Sequence, residues 1–144
     1  MKRTCPPDIL LVEDEPADVY LIQRAIADCC PQSRVWRVAS GRDALAFLRR
    51  EPPFVHAPPP ALILLDLNLP QLDGRDLLPV LRRLGAYQTT PVVIISVSES
   101  AVEEPRCRQL GATAYVEKSR DFAAYFGGVQ ASVRHWLGTE GGPA

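Results

Sequence analysis

The sequence predicts an α/β protein, a doubly wound parallel sheet of five strands with helices on both faces. Two observations carry this. Short apolar runs alternate along the chain with stretches of helical periodicity, five times over. The runs themselves are almost continuously apolar, as strands buried on both faces must be. A third observation locates the chemistry: three of the five runs end in a charged residue and the other two in serine.

The first strand is "DILLVED" (8–14), an apolar run ending in acid. "PADVYLIQRAIADC" (16–29) follows as a helix, with Val19, Ile22, Ala25, Ile26 and Cys29 at helical spacing and Pro16 suited to its first turn. "SRVWRVAS" (33–40) alternates and reads as strand two. "GRDALAFLRRE" (41–51) places Ala44, Leu45, Phe47 and Leu48 on one helical face. "PPFVHAPPP" (52–60) can only be a stiff loop. Strand three is "ALILLD" (61–66), and a helix follows over 74–85, where Pro79 should kink it or shift its start. "TPVVIIS" (90–96) is strand four. In "ESAVEEPRCRQLG" (99–111) an interior Pro105 would cost roughly 3 kcal/mol, so the helix is expected to begin near it, after a long acidic loop. "ATAYVEK" (112–118) is strand five. A last amphipathic helix spans 121–138, weakened at Gly127–Gly128, before a frayed "TEGGPA" tail. One domain is expected over 1–144, with its core at about 8–137.

The bulk properties narrow the class. With 47 % hydrophobic and 23 % charged residues the composition is that of an ordinary globular domain. A net charge of −1 suggests neither a nucleic-acid footprint nor a membrane-surface patch. The apolar runs fall far short of a membrane span, and "MKRTCPP" is not followed by the apolar stretch of a signal peptide. Cys5, Cys29, Cys30 and Cys107 form no CxxC pair and no pattern with histidine, so idle thiols in a reducing, cytoplasmic setting are expected.

In a parallel sheet the functional site lies beyond the carboxyl ends of the strands. Those ends carry Glu13 and Asp14, then Asp66, Ser96 and Lys118. Three clustered carboxylates repel one another unless a cation sits among them. A hard divalent ion with oxygen ligands is indicated, and Mg²⁺ fits best, since it needs only one or two carboxylates besides water and phosphate oxygens. A cation, a lysine and a hydroxyl around one carboxylate are what phosphoryl transfer requires. Asp66 would be the nucleophile, Mg²⁺ and Lys118 would neutralise the phosphoryl oxygens, and Ser96 would hydrogen-bond the added group.

Four motifs in order, "ILLVEDEPAD", "LILLDLNLPQLDG", "PVVIIS" and "GATAYVEK", resemble a response regulator receiver domain over roughly residues 8 to 137. "DVYLIQRAI", "ALAFLRRE", "ILLDLNLP" and the Pro-rich loop before strand three further resemble the single-domain regulators that partner phytochrome-type sensor kinases. The resemblance implies a (βα)5 flavodoxin-like sheet in the order 2-1-3-4-5. It implies that Asp66 accepts a phosphoryl group from a phosphohistidine of a sensor histidine kinase. Asp14 would bind Mg²⁺ directly, Glu13 through water, and Asn68 through its backbone carbonyl. Lys118 would pair with the phosphoryl group, Ser96 would be drawn towards it, and Tyr115 matches the aromatic switch. Such a domain signals and is not an enzyme beyond slow self-dephosphorylation.

Two positions depart from the family's pattern. Ser119 stands where a cis proline usually follows the lysine, and a cis non-prolyl bond costs about 2.5–4 kcal/mol. A trans or mobile loop is therefore expected, with Lys118 less firmly aimed. Val97, after Ser96, replaces a usually small residue and would obstruct water or crowd the donor.

Other readings remain beside this one. The domain could signal through a partner or through dimerisation, or serve as a phosphorelay carrier or phosphate sink. A Mg-dependent phosphohydrolase with an Asp nucleophile would need a second Asp as general acid where Asn68 stands. A dinucleotide or flavin carrier would need a glycine-rich loop after strand one. Asp73 and Asp76 read as a turn residue and a first-turn helix acid, and His56 and His135 as structural. Phe122, Tyr125, Phe126, Val129, Val133, Trp136 and Leu137 are too many apolar residues for one helix on one sheet edge, which points to a homodimer.

Overall fold

The computed structural model describes residues 7–97 and 101–138. Cys5, the basic N-terminal stretch, positions 98–100 of the acidic loop and the "TEGGPA" tail lie outside these residues. Five strands, β1 (Asp8–Val12), β2 (Arg34–Val38), β3 (Leu62–Leu65), β4 (Val92–Ser96) and β5 (Ala114–Glu117), alternate with five helices. These are α1 (Pro16–Cys29), α2 (Gly41–Arg49), α3 (Gly74–Arg82), α4 (Glu103–Leu110) and α5 (Phe122–Leu137). The strands are all parallel in the order β2-β1-β3-β4-β5, as the sequence predicted.

Side chains alternate across each strand, so each strand feeds two cores. Leu10, Val12, Ile63, Leu65, Val92 and Ile94 face α2, α3 and α4. Ile9, Leu11, Leu62, Leu64, Val93 and Ile95 face α1 and α5. This is why β1, β3 and β4 read as unbroken apolar runs. The edge strand β2 is the exception: Arg34, Trp36 and Arg37 face solvent and break its apolar run, as suits an exposed edge.

Four local expectations are met or corrected. Of the two effects expected of Pro79, a shifted start is not seen: α3 begins at Gly74 with Asp73 as N-cap, and Pro79 lies inside it. The Asp73 carboxylate accepts from the Arg75 N–H at 2.8 Å, so Asp73 is a cap and not merely a turn residue. Helix α4 starts near Pro105 as expected, two residues before it, so the proline sits in the first turn, where its missing N–H would lack an intrahelical partner anyway. The glycine pair does not interrupt α5. A Cβ on Gly128 would stand 3.2 Å from Val116 Cγ1, so this glycine lets α5 approach the sheet. On α5, Tyr125, Val129, Val133 and Leu137 are buried, whereas Phe122 is 63 % exposed. No helix among the described residues is long and apolar enough to cross a membrane.

Candidate functional site

The backbone ladder continues past the strand ends and sets the site. The Glu13 N–H donates to the Val38 carbonyl at 3.1 Å, the Asp66 N–H to the Val12 carbonyl at 3.0 Å, and the Lys118 N–H to the Ser96 carbonyl at 2.8 Å. Each of these residues is thus placed by the strand beside it. The loop after Asp66 is held as tightly. The Gly74 N–H donates to the Leu67 carbonyl at 2.8 Å, and a Cβ on Gly74 would fall 2.7 Å from the Asp66 carbonyl oxygen. Only glycine lets α3 begin against the Asp66 loop.

Carboxylate oxygens of Glu13, Asp14 and Asp66 lie within 4.8 Å of one another. Glu13 and Asp66 are buried and Asp14 is exposed, so the cluster opens to solvent through Asp14. The Lys118 ammonium lies 2.9 Å from Glu13 Oε1, 3.1 Å from Asp18 Oδ2 and 3.4 Å from Asp66 Oδ2. Burial alone would disfavour its charge, but Glu13, Asp66 and Asp18 outweigh burial and hold Lys118 above its ordinary value. Glu13 shows the reverse balance. Burial pushes its carboxyl up to about 7, and the nearby Asp66 adds to this against the pull of Lys118. Three carboxylates face one ammonium and Asp14 stands beside them, so the edge is short of positive charge.

The Ser96 hydroxyl is buried and has no hydrogen-bond partner among the described residues. An unsatisfied buried hydroxyl beside an anionic cluster is a place for an acceptor that arrives later. The donors around the cluster are all oxygens, which suits a hard divalent cation and not a thiophilic one. The residues present therefore fit such an ion.

Glu13, Asp14, Asp66, the Asn68 backbone and Lys118 come together at this edge with Ser96 at the neighbouring strand end, whereas Tyr115 meets Glu103 instead of the cluster. The Lys118–Ser119 bond is trans, as expected, since Pro52–Pro53 is the cis bond among the described residues. Lys118 is nevertheless firmly held, against the expectation that it would be loosely aimed, because three carboxylates fix its head. The Asn68 N–H donates to Asp66 Oδ1 at 3.3 Å, while its side chain is exposed. The Tyr115 hydroxyl donates to Glu103 Oε1, and Glu103 pairs in turn with Arg75, which also holds Asp73. Val97 is half-exposed beside the site. Both His56 and His135 are exposed and take no part in these contacts; the His135 ring packs edge-on against Trp136 at 4.5 Å. A shallow hollow of about 470 Å³ between α2 and the β3–α3 loop is lined by none of the predicted site residues.

Sequence reasoning missed Asp18, Glu103 and Arg75, and read Tyr125 as apolar only. The Tyr125 hydroxyl donates to Asp18 Oδ1 at 2.8 Å. A signal was available, since in this topology α1 and α5 are neighbours and both residues stand near the N-terminal ends of their helices.

A (βα)5 sheet in this order, ending in an acidic cluster, an isolated hydroxyl and a lysine, defines a class of signalling domain. The chain belongs to the response regulator receiver domain family, whose model matches residues 9–126. Receiver domains take phosphoryl groups from histidine kinases and bind divalent metal in an acidic pocket. Response regulator Rcp1 of Synechocystis sp. is 34 % identical over 139 residues, covering 96 % of this chain and 95 % of Rcp1. The structure of the phosphorylated cyanobacterial phytochrome response regulator RcpA is 36 % identical, with a TM-score of 0.87 over 94 % of this chain and 96 % of RcpA. The Mn²⁺-bound form of Rcp1 gives 34 % identity and a TM-score of 0.85, over 93 % of this chain and 96 % of that one.

Proposed function

We propose that this receiver domain is a stand-alone response regulator, folded over about residues 8–137, that accepts a phosphoryl group on Asp66 from a sensor histidine kinase of the phytochrome type. The single observation that carries this is the convergence of buried Asp66, Lys118 and the unpartnered Ser96 hydroxyl at one edge. Similarity to RcpA and Rcp1, regulators whose structures are described as phosphorylated and Mn²⁺-bound, supports the reading.

In the transfer, an Asp66 carboxylate oxygen attacks the phosphorus of a phosphohistidine. The new O–P bond forms as the P–N bond breaks, and the imidazole nitrogen keeps the electron pair. Lys118 neutralises charge on the transferred oxygens. The Ser96 hydroxyl donates a hydrogen bond to one of those oxygens and so gains a partner. Glu13, Asp14, Asp66 and the Asn68 carbonyl would hold Mg²⁺, which supplies the remaining positive charge when bound. Tyr115 reports the change to the α4–β5–α5 face, through the Glu103 contact it makes at rest. Output runs through a partner or a homodimer, in which the exposed Phe122 on α5 would find cover. The domain is not an enzyme beyond slow self-dephosphorylation.

The test is incubation with Mg²⁺ and acetyl phosphate, read by intact mass and light scattering, with Asp66→Asn alongside. The expected result is a gain of one phosphoryl group in the wild type alone, with a change in oligomer size. Phosphorylation without any change in size would favour a carrier or phosphate sink. An equal gain in the Asp66→Asn variant would contradict the proposal.

A further inference from the structure

The residue that must meet the phosphoryl group, Lys118, is held by more than its own strand. Its backbone is tied to β4 by one hydrogen bond to Ser96, and beyond it the chain turns at once, with the Ser119 N–H donating to the Glu117 carbonyl at 2.9 Å. The side chain is long and flexible, and its direction has to be set at the ammonium. An ammonium has three protons to donate. Three carboxylates face it: Glu13 at 2.9 Å, Asp18 at 3.1 Å and Asp66, the most distant, at 3.4 Å.

Asp18 is itself fixed. One of its oxygens accepts from Lys118 and the other accepts from the Tyr125 hydroxyl at 2.8 Å. A carboxylate engaged through both oxygens cannot rotate without breaking one contact. Tyr125 is 5 % exposed and packed in the core beneath α1 and α5. Burial first, and Asp18 next, raise the phenol above its ordinary value, so it remains a proton donor to the carboxylate. These contacts link the start of α1 to the β5–α5 stretch, since Asp18 lies 100 residues from Lys118 and 107 from Tyr125 in sequence.

We propose that Asp18 and Tyr125 are positioning residues for phosphoryl transfer: the Tyr125 hydroxyl locks the Asp18 carboxylate, and Asp18 with Glu13 orients the Lys118 ammonium so that its third proton points at Asp66. Neither residue touches the reacting atoms. The kinetic part of this inference rests on the reading of Asp66 as phosphoacceptor, whereas the orientation of Lys118 does not.

Two measurements test it. The first is the rate of phosphorylation by acetyl phosphate with Mg²⁺ for the wild type, Tyr125→Phe, Asp18→Asn and the double variant. Phenylalanine fills the same core space, so Tyr125→Phe removes the hydroxyl alone. Loss of one or two charge-assisted hydrogen bonds should slow the reaction about threefold in Tyr125→Phe and about tenfold in Asp18→Asn. The double variant should be no slower than Asp18→Asn, because the hydroxyl acts through that carboxylate. An unchanged rate in Tyr125→Phe, or the same slowing by Tyr125→Phe in both backgrounds, would overturn the proposal.

The second measurement needs no phosphorylation. The chain has two lysines, Lys2 and Lys118. Labelling lysine Nζ with a heavy nitrogen isotope therefore gives a spectrum in which Lys118 can be assigned with one variant. Its ammonium protons should be protected from solvent exchange in the resting wild type and lose that protection in Asp18→Asn, at unchanged melting temperature. Protection that persists in Asp18→Asn would also overturn the proposal. If the wild type takes up no phosphoryl group at all, the phosphoacceptor reading fails, and the Lys118 spectrum still decides whether Asp18 positions the ammonium.

Discussion

The two ends of the sheet treat a half-buried cation in opposite ways. At the end away from Asp66, Arg82 on α3 donates to the carbonyls of Gly111, Tyr87, Gln88 and Thr90 and to the Thr113 hydroxyl. Its contacts are neutral oxygens, and burial lowers its pKa with nothing to offset it. At the other end Lys118 is surrounded by carboxylates, and the Ser96 hydroxyl at the next strand end has no partner among the described residues. One end is saturated with hydrogen bonds and ties the α3, α4 and β4 termini together. The other carries an excess of anionic oxygen and an unused donor. Structure is finished at the first end and held ready at the second.

If this contrast is right, the largest effect on stability comes from the saturated end. Arg82→Met leaves four backbone carbonyls without this donor and should cost about 2–4 kcal/mol in urea unfolding, while the folded fraction still takes up phosphoryl. A loss well below this would mean that Arg82 is dispensable and the contrast false.

The anionic end should behave in the opposite sense. With a folded value of about 7 against an ordinary 4.5, Glu13 binds more protons folded than unfolded between those values. Stability should therefore fall as pH rises from about 4.5 to 7 in the absence of divalent metal. Glu13→Gln keeps an acceptor for Lys118 and removes a charge. It should gain about 1–3 kcal/mol at pH 8 without metal, and the gap should close on adding Mg²⁺ to the wild type. A less stable Glu13→Gln protein would show that the Lys118 pair outweighs the repulsion.

The smallest effect serves as a control on the scaffold. Gly127 lies in α5 with nothing within 4 Å of a Cβ built on it. Gly127→Ala should stabilise the protein by about 0.5–1 kcal/mol and leave the phosphorylation rate unchanged. A changed rate would mean that α5 stiffness itself governs the site.

The same contrast explains what could be read from the sequence. Asp66 at the tip of "ALILLD" was legible because a carboxylate has no structural reason to end a buried strand, and Glu13, Ser96 and Lys118 were legible by the same test. The parallel sheet followed because apolar runs and helical stretches alternate, while its strand order came from the family resemblance. Asp18 was not legible, since an acid in the first turn of a helix has an ordinary explanation in the helix dipole. Tyr125 was hidden among the apolar residues of α5, where its ring does pack. Glu103 looked like one more acid in a loop, and only the fold brings it to Tyr115 and Arg75. Pro105 was legible as the start of α4, because a proline belongs in a first turn, whereas Pro79 lies inside α3 without moving its start, which its residue type alone does not reveal. Partnerships between helices far apart in sequence leave no local pattern to read.

The central claim is that Asp66 is the residue that takes the phosphoryl group. The most direct measurement is to load the protein with acetyl phosphate and Mg²⁺, reduce the acyl phosphate with borohydride, and map the peptides by mass. Reduction turns a phosphorylated aspartate into homoserine. Homoserine at position 66 alone is the predicted result, and reduction at Asp14, or at no aspartate in a protein that has gained phosphoryl mass, would contradict it.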